Sequence, residues 1–182
     1  MTDYSDDDIL KMIFENNDSE LLMKVIVEKY HFRIYNHVRS ILISHEDAND
    51  VTQDIFIKVW KEIYKFRGDS KLFSWMYRIA TNESINFIRK NKKHSVLIRE
   101  STENYLLSRL TADTNINGSK LQIELQKAIA KLPEKQRHIF NMRYFEELKF
   151  KDIAEILGIT EGGVKSSYHF AEKKIKDQFK VD

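Results

Sequence analysis

The sequence predicts an all-α protein of two small helical domains joined by a linker. Three observations carry that prediction. The 182 residues include only 5 glycines and 1 proline, too few for the many tight turns of an all-β fold. Apolar residues recur at helical spacing through most of the chain. That periodicity lapses over residues 95–118, where Ser101, Thr102, Thr111, Asp113, Thr114, Asn115, Asn117 and Gly118 accumulate. The expected division is a domain over 1–94, a linker over 95–118 and a second domain over 119–182.

Each helix has its own start and stop signals. Ser5 followed by Asp6, Asp7 and Asp8 is a cap with an acidic first turn, which suits the positive end of a helix. Asn16-Asn17-Asp18-Ser19 ends that short helix. A long helix follows from about Glu20 to Ile43, its apolar positions including Leu22, Val25, Ile26, Tyr30, Phe32, Tyr35, Val38 and Ile41. Ser44 and Asp47 have the spacing of a capping box. The helix they open reaches about Phe66, with Val51, Ile55, Val59 and Ile63 every fourth residue and Phe56, Trp60 and Tyr64 widening the stripe. Gly68 reads as a left-handed stop and Ser70 as the cap of a fourth helix to about Lys93. Leu106, Leu107 and Leu110 make a helical turn within the linker. The period returns with Leu121, Leu125, Ala128, Ile129 and Leu132, and Pro133 opens the next helix, where its missing N–H costs little. Ile139, Phe140, Met142 and Tyr144 belong to that helix, and two more follow over about 150–157 and 161–178.

Composition excludes several function classes. With 0 cysteines there is no disulfide and no thiolate metal site. The five glycines form neither a GxGxxG fingerprint nor a phosphate loop. His31, His37, His45, His94, His138 and His169 have no metal-ligand spacing, and all six are read as surface or boundary residues. Glu146-Glu147 is a loop pair without a partner at catalytic spacing. No cofactor, metal or catalytic residue is expected. The longest apolar runs are too short to span a bilayer, and the acidic start does not resemble a signal peptide, so a soluble, cytoplasmic chain without membrane insertion is expected. The formal net charge of +2 hides segregation: residues 1–60 carry −6, 61–100 carry +6 and 119–182 carry +3. Separate surfaces for separate partners follow from such blocks.

The sharpest signal lies over residues 150–165. Two helices that cross closely need a small residue at the contact, which Ala154 supplies. The turn between them needs a left-handed position, which Gly158 takes freely. Thr160 can cap the second helix and Val164 returns to the core. These features make the C-terminal domain a helix-turn-helix. At about 100° per residue, Val164, Tyr168, Ala171, Ile175 and Phe179 fall on one side of its second helix. Gly162, Lys165, Ser166, His169, Lys173 and Lys176 fall on the other. Short polar groups near the helix start suit base edges, and lysines further along suit phosphates. Glu161 and Glu172 would repel phosphate unless turned aside.

The second signal is the segment from Phe66 to Lys93. Lys71, Arg78, Asn82, Arg89 and Lys93 fall within about 40° of one line on a helical wheel, and Leu72, Trp75, Met76, Ile79 and Phe87 are the apolar positions of the same segment. A basic stripe with aromatics nearby suits single-stranded nucleic acid. Trp75 and Tyr77 read as core or boundary residues before base-stackers.

With these blocks in order, the chain resembles the bacterial extracytoplasmic-function sigma factors along nearly its whole length. The resemblance rests on Asp47 to Phe56, on Phe66 to Ser70 with Trp75 to Asn82, and on Leu132-Pro133-Glu134-Lys135-Gln136-Arg137 with the helix-turn-helix. It implies regions two and four of the sigma superfamily and no intrinsic catalysis. RNA polymerase core and promoter DNA are the implied partners, with an anti-sigma factor as antagonist. It implies core binding by Asp47, Asp50, Gln53 and Asp54, which fits an acidic helix face meeting a basic partner helix. It implies contact of Lys71, Arg78, Asn82, Asn86 and Arg89 with the −10 element, and of Thr160, Gly162, Lys165, Ser166, His169 and Lys173 with the −35 element. Extended, residues 95–118 reach ~80 Å, enough to bridge the two elements. The chain departs from the family at Gly163, where threonine is usual, and at Ser167 and Phe170, where arginine is frequent. Weaker phosphate anchoring by this helix is expected. The alternative is a helix-turn-helix regulator that acts without polymerase. It leaves the acidic helix and the basic stripe without a role.

Overall fold

The computed structural model describes residues 4–15, 19–94, 104, 106–108, 110 and 120–179, and among these there is helix and no strand. The expected break at 16–18 and most of the expected linker lie outside the described residues. Helix α1 (Asp6–Phe14) opens on the expected cap. The Asp8 backbone N–H donates to Ser5 Oγ (3.2 Å) and the Ser5 N–H to Asp8 Oδ2 (3.0 Å). The Ser5 hydroxyl also donates to Asp8 Oδ2 at 2.6 Å, and this bond, with that from the Ser5 N–H, holds the Asp8 carboxyl below the usual carboxylate range. Tyr30 Oη and Lys29 Nζ both reach Asp6 Oδ1, at 2.9 and 2.6 Å, and pin α1 to the next helix.

Helix α2 (Ser19–Leu42) is the central strut, with α3 (His45–Glu62) and α4 (Leu72–His94) packed on it. Ser44 caps α3 by accepting from the Asp47 N–H at 3.3 Å. The α-helix stops at Glu62 and not at Phe66, because its last turn tightens into a 3₁₀ turn over Ile63–Lys65. Lys71, not Ser70, stands immediately before α4. The period also misplaces some side chains: Phe32 is 73% exposed, and Trp60 and Tyr64 face outward.

The second set comprises α5 (Lys120–Ala130), α6 (Glu134–Tyr144), α7 (Phe150–Leu157) and α8 (Glu161–Phe179). Pro133 caps α6, and its carbonyl accepts from the Arg137 N–H at 2.9 Å. Gly158 closes α7 at φ +65°. An L side chain there would be strained by the backbone alone, since no atom lies within 4 Å of where its Cβ would sit. The Gly163 N–H donates to Thr160 Oγ1 (3.2 Å), so Thr160 is the N-terminal cap of α8. Ala154 and Val164 are buried at the α7–α8 contact, as the motif requires.

The two sets share a core. One apolar cluster runs from Ile34, Val38 and Met76 to Ile139, Met142, Ile153 and Ile156, and takes in Leu106 and Leu110. A smaller cluster of Ala128, Ile129, Leu132, Phe140, Ala171 and Ile175 holds α5, α6 and α8 together. Two histidines expected near the surface are buried within this packing. His37 Nδ1 lies 2.8 Å from Glu146 Oε1, and its Nε2 lies 2.8 Å from Thr81 Oγ1. His138 is buried with no hydrogen bond to either ring nitrogen. Glu146 is thus partnered across the fold, by a residue too distant in sequence for spacing to reveal.

Candidate functional site

Three surfaces gather the residues singled out from the sequence. The first is the outer face of α3. Asp50, Gln53 and Asp54 are exposed there, and Asp47 is half-buried in the first turn. Sequence reasoning missed what lies beside them. Met23, Val27, Gln53, Phe56, Ile57 and Trp60 line a groove of about 490 Å³ between α2 and α3. Trp60 is 55% exposed. The apolar period counts Trp60 with the core stripe of α3, and the structure turns it outward beside Gln53. An acidic edge beside an open aromatic groove can receive a partner helix, with carboxylates setting the register and the groove taking an apolar anchor.

The second surface is the outer face of α4. Arg78, Asn82, Asn86 and Arg89 are exposed along it, and Lys71 precedes it. Lys93 belongs to α4, but its side chain is outside the described set. The opposite side is core: Leu72, Met76 and Ile79 are buried. Tyr77 is buried and donates to the Arg33 carbonyl at 3.3 Å, and half-buried Trp75 packs on Phe66 at 5.5 Å between ring centroids. Both are boundary or core groups, as expected. The α3 helix is tied to this element by Lys58 Nζ and Glu83 Oε1 at 2.6 Å, a bond that raises the lysine pKa.

Three cations of this face, Lys71, Arg78 and Arg89, are already engaged by the second set of helices. Lys71 Nζ lies 2.7 Å from Asp152 Oδ1, and the Lys71 N–H donates to Glu155 Oε1 at 3.0 Å. The Asp152 bond raises the Lys71 pKa. Arg78 Nη2 donates to the Glu155 carbonyl at 2.7 Å and Arg78 Nε to the Ile156 carbonyl at 3.3 Å. Arg89 Nη2 lies 3.4 Å from Glu134 Oε1.

The third surface is the outer face of α8. Gly162, Lys165, Ser166, His169, Lys173 and Lys176 are all exposed, following Thr160 at the cap. The two carboxylates that could repel phosphate are paired locally. Glu161 holds Lys165 at 2.7 Å and Glu172 holds Lys176 at 3.0 Å. Exposed Phe170 flanks His169. The face is mixed and shallow, and an α-helix with short polar groups in its first turns fits a major groove. Among the described residues no group of three His, Cys, Asp or Glu could hold a metal ion. None of the described helices is long and apolar enough to cross a membrane.

Comparison with known proteins fits this arrangement. The family model for Sigma-70 region 2 matches residues 26–94, and that for Sigma-70 region 4 matches residues 122–175. The chain is 33% identical over 163 residues to the ECF RNA polymerase sigma factor SigW of Bacillus subtilis, covering 85% of this chain and 87% of that one. It is 31% identical over 157 residues to the ECF RNA polymerase sigma-E factor of Haemophilus influenzae, covering 80% and 83%. Among solved structures, the sigma factor RpoE in its complex with the anti-sigma factor NepR from Bartonella quintana shares the fold. Its TM-score is 0.68 at 23% identity, over 87% of this chain and 97% of that one.

Proposed function

The chain belongs to the extracytoplasmic-function RNA polymerase sigma factors, and on that premise we propose a division of labour among its three surfaces. The protein binds RNA polymerase core and directs promoter-specific initiation. The α3 edge of Asp47, Asp50, Gln53 and Asp54 grips core, with Trp60 and Ile57 as apolar anchors in the adjoining groove. Lys71, Arg78, Asn82, Asn86 and Arg89 meet the −10 element. Thr160, Gly162, Lys165, Ser166, His169 and Lys173 read the −35 element. Residues 1–94 and 119–182 act as the two domains and 95–118 as their tether. The chain itself contributes no catalysis and works where core polymerase is, in the cytoplasm, with an anti-sigma factor as its antagonist.

The observation that carries this reading is the separation of an acidic, apolar-grooved face on α3 from two basic faces on α4 and α8. Polymerase supplies bond formation, and this chain supplies the address and the opening of the strands. Tethering through core raises the effective concentration of two individually weak DNA contacts. Unstacked bases held against the protein offset the few kcal/mol of unstacking. The test is run-off transcription with bacterial core polymerase on a genomic fragment library. New initiation points are expected only when this chain is added, and their absence would overturn the reading. Asn82→Ala is expected to reduce discrimination at the −10 element while pull-down of core is unchanged.

A further inference from the structure

The outer face of α8 carries one large apolar side chain among its polar ones. Phe170 is 53% exposed and belongs to neither apolar cluster. Single exposed aromatics are common on protein surfaces, so it is the surroundings of this one that carry information. At about 100° per residue, Phe170 projects within about 40° of Ser166, on the side opposite buried Val164, Ala171 and Ile175. His169 meets its ring at 6.1 Å between centroids.

The helix is cut low in front of this ring. Gly162 lies in α8 about two turns earlier, and a Cβ there would meet no atom within 4 Å. Packing within the fold therefore does not call for a glycine, and glycine weakens a helix relative to alanine. Gly163 is different, because a Cβ there would lie 3.1 Å from Thr160 Oγ1, the capping oxygen. What the bare position at Gly162 does allow is a close approach of the α8 backbone to a partner. Ser166, the exposed residue between Gly162 and Phe170, is nearly as short.

The charges around the ring suit an anionic partner. Exposed Lys173 projects about 20° from Ser166, one turn after Phe170. Glu161 and Glu172 are tied to lysines and lie more than about 150° round the helix from Phe170. Asp177 shares the side of the ring but stands about 10 Å further along the axis. A polyanion with one apolar feature fits this surface, and the major groove of duplex DNA is such a partner. The C5 methyl of thymine is the apolar group that base pairs present there. A phenyl ring neither donates nor accepts a hydrogen bond. Against any other base edge it would strip water from a polar atom and replace it with nothing.

We propose that Phe170 is a specificity residue that reads a thymine methyl group in the −35 element. This deepens the −35 assignment of α8 and rests on it. Gly162 and Ser166 let the backbone come close to the base edges, Lys173 holds a phosphate beside them, and the ring packs on one methyl from the third turn of the helix. The preference is for the methyl and not for the base pair. Thymine is favoured over uracil, and 5-methylcytosine over cytosine, at the same position.

The test uses holoenzyme assembled from bacterial core polymerase and the full chain. The probe is a duplex promoter fragment from the run-off screen with its upstream element randomised. Selection with the unsubstituted chain is expected to enrich thymine at one position where selection with Phe170→Ala does not. Uracil at that position should weaken binding about fourfold for the unsubstituted chain, as loss of one buried methyl does, and should leave Phe170→Ala unaffected. 5-Methylcytosine there should bind about fourfold tighter than cytosine only when the ring is present. The proposal is overturned if both chains select the same sequence, or if uracil binds as well as thymine at every selected position. Lys165→Ala separates that result from failure of the wider reading. If Lys165→Ala alters the selected sequence, α8 still reads the −35 element and only the methyl contact is lost. If neither substitution alters it, the −35 assignment falls and the proposal falls with it. Weaker pull-down of core by Phe170→Ala, with selection unchanged, would make the ring a polymerase contact and would equally overturn the proposal.

Discussion

His138 places an imidazole in the packing between α6 and α2 with no acceptor or donor in reach. Burial pushes its pKa down to about 3, and nearby Arg137 and His37 add to the effect. Its pKa in the unfolded chain is ordinary, near 6.5. Between those values the unfolded chain binds a proton that the native chain does not, so stability falls as pH drops through that window and is flat above it. The expected contribution is at most ~1.4 kcal/mol per pH unit. Urea midpoints at pH 7 and pH 5 should therefore move closer together in His138→Leu than in the unsubstituted chain. Side-chain placement was the least legible feature of the sequence at this scale. A histidine is neither clearly polar nor clearly apolar, so the period could not assign His37 or His138 to the core. Phe32, Trp60 and Leu121 erred in the other direction. They sit near an apolar stripe in sequence, yet the structure leaves each of them exposed.

Helix boundaries were legible wherever a side chain makes the cap. Ser5, Ser44 and Thr160 each accept the backbone N–H that their position predicts. The start of α4 was not, because tertiary contact overrides the local signal: the Lys71 N–H, one residue after Ser70, is taken by Glu155 from α7. The acidic positions of α3 were readable from one element alone. The groove beside them was not, since Met23 and Val27 come from α2 and no periodicity on α3 announces them. The groove gives a prediction that belongs to the pair of helices. Trp60→Ala should weaken binding to polymerase core by about 2 kcal/mol, as loss of a central aromatic anchor does. Surface-immobilised core measures this directly. Unaltered affinity would remove Trp60 from the interface while leaving the carboxylates in place.

At the scale of the whole molecule, composition and the lapse in periodicity were enough to foresee two helical sets. How they meet was not legible, because no local pattern encodes a contact between residues as distant as Ser40 and Asn141. The segment between them is also more than a tether. Leu106 is fully buried and Leu110 nearly so, in the cluster that spans both sets, and Leu110 lines a cleft with Ile43, Leu125 and Phe145. Leu106→Ala should therefore cost about 2–4 kcal/mol, the range for truncating a buried leucine. A urea titration of the full chain measures it, and a change below about 0.5 kcal/mol would show that the side chain packs against nothing that matters.

The N-terminal helix touches the turn that leads into α4. Gly68 has φ +76°, and a Cβ there would lie 3.2 Å from Cζ of Phe14. Phe14, at the end of α1, thus acts as a doorstop for the bend before α4. On the role proposed for α4, a change of bulk at Phe14 retunes how readily a promoter yields, while the side chains proposed to read it or to grip the enzyme stay the same.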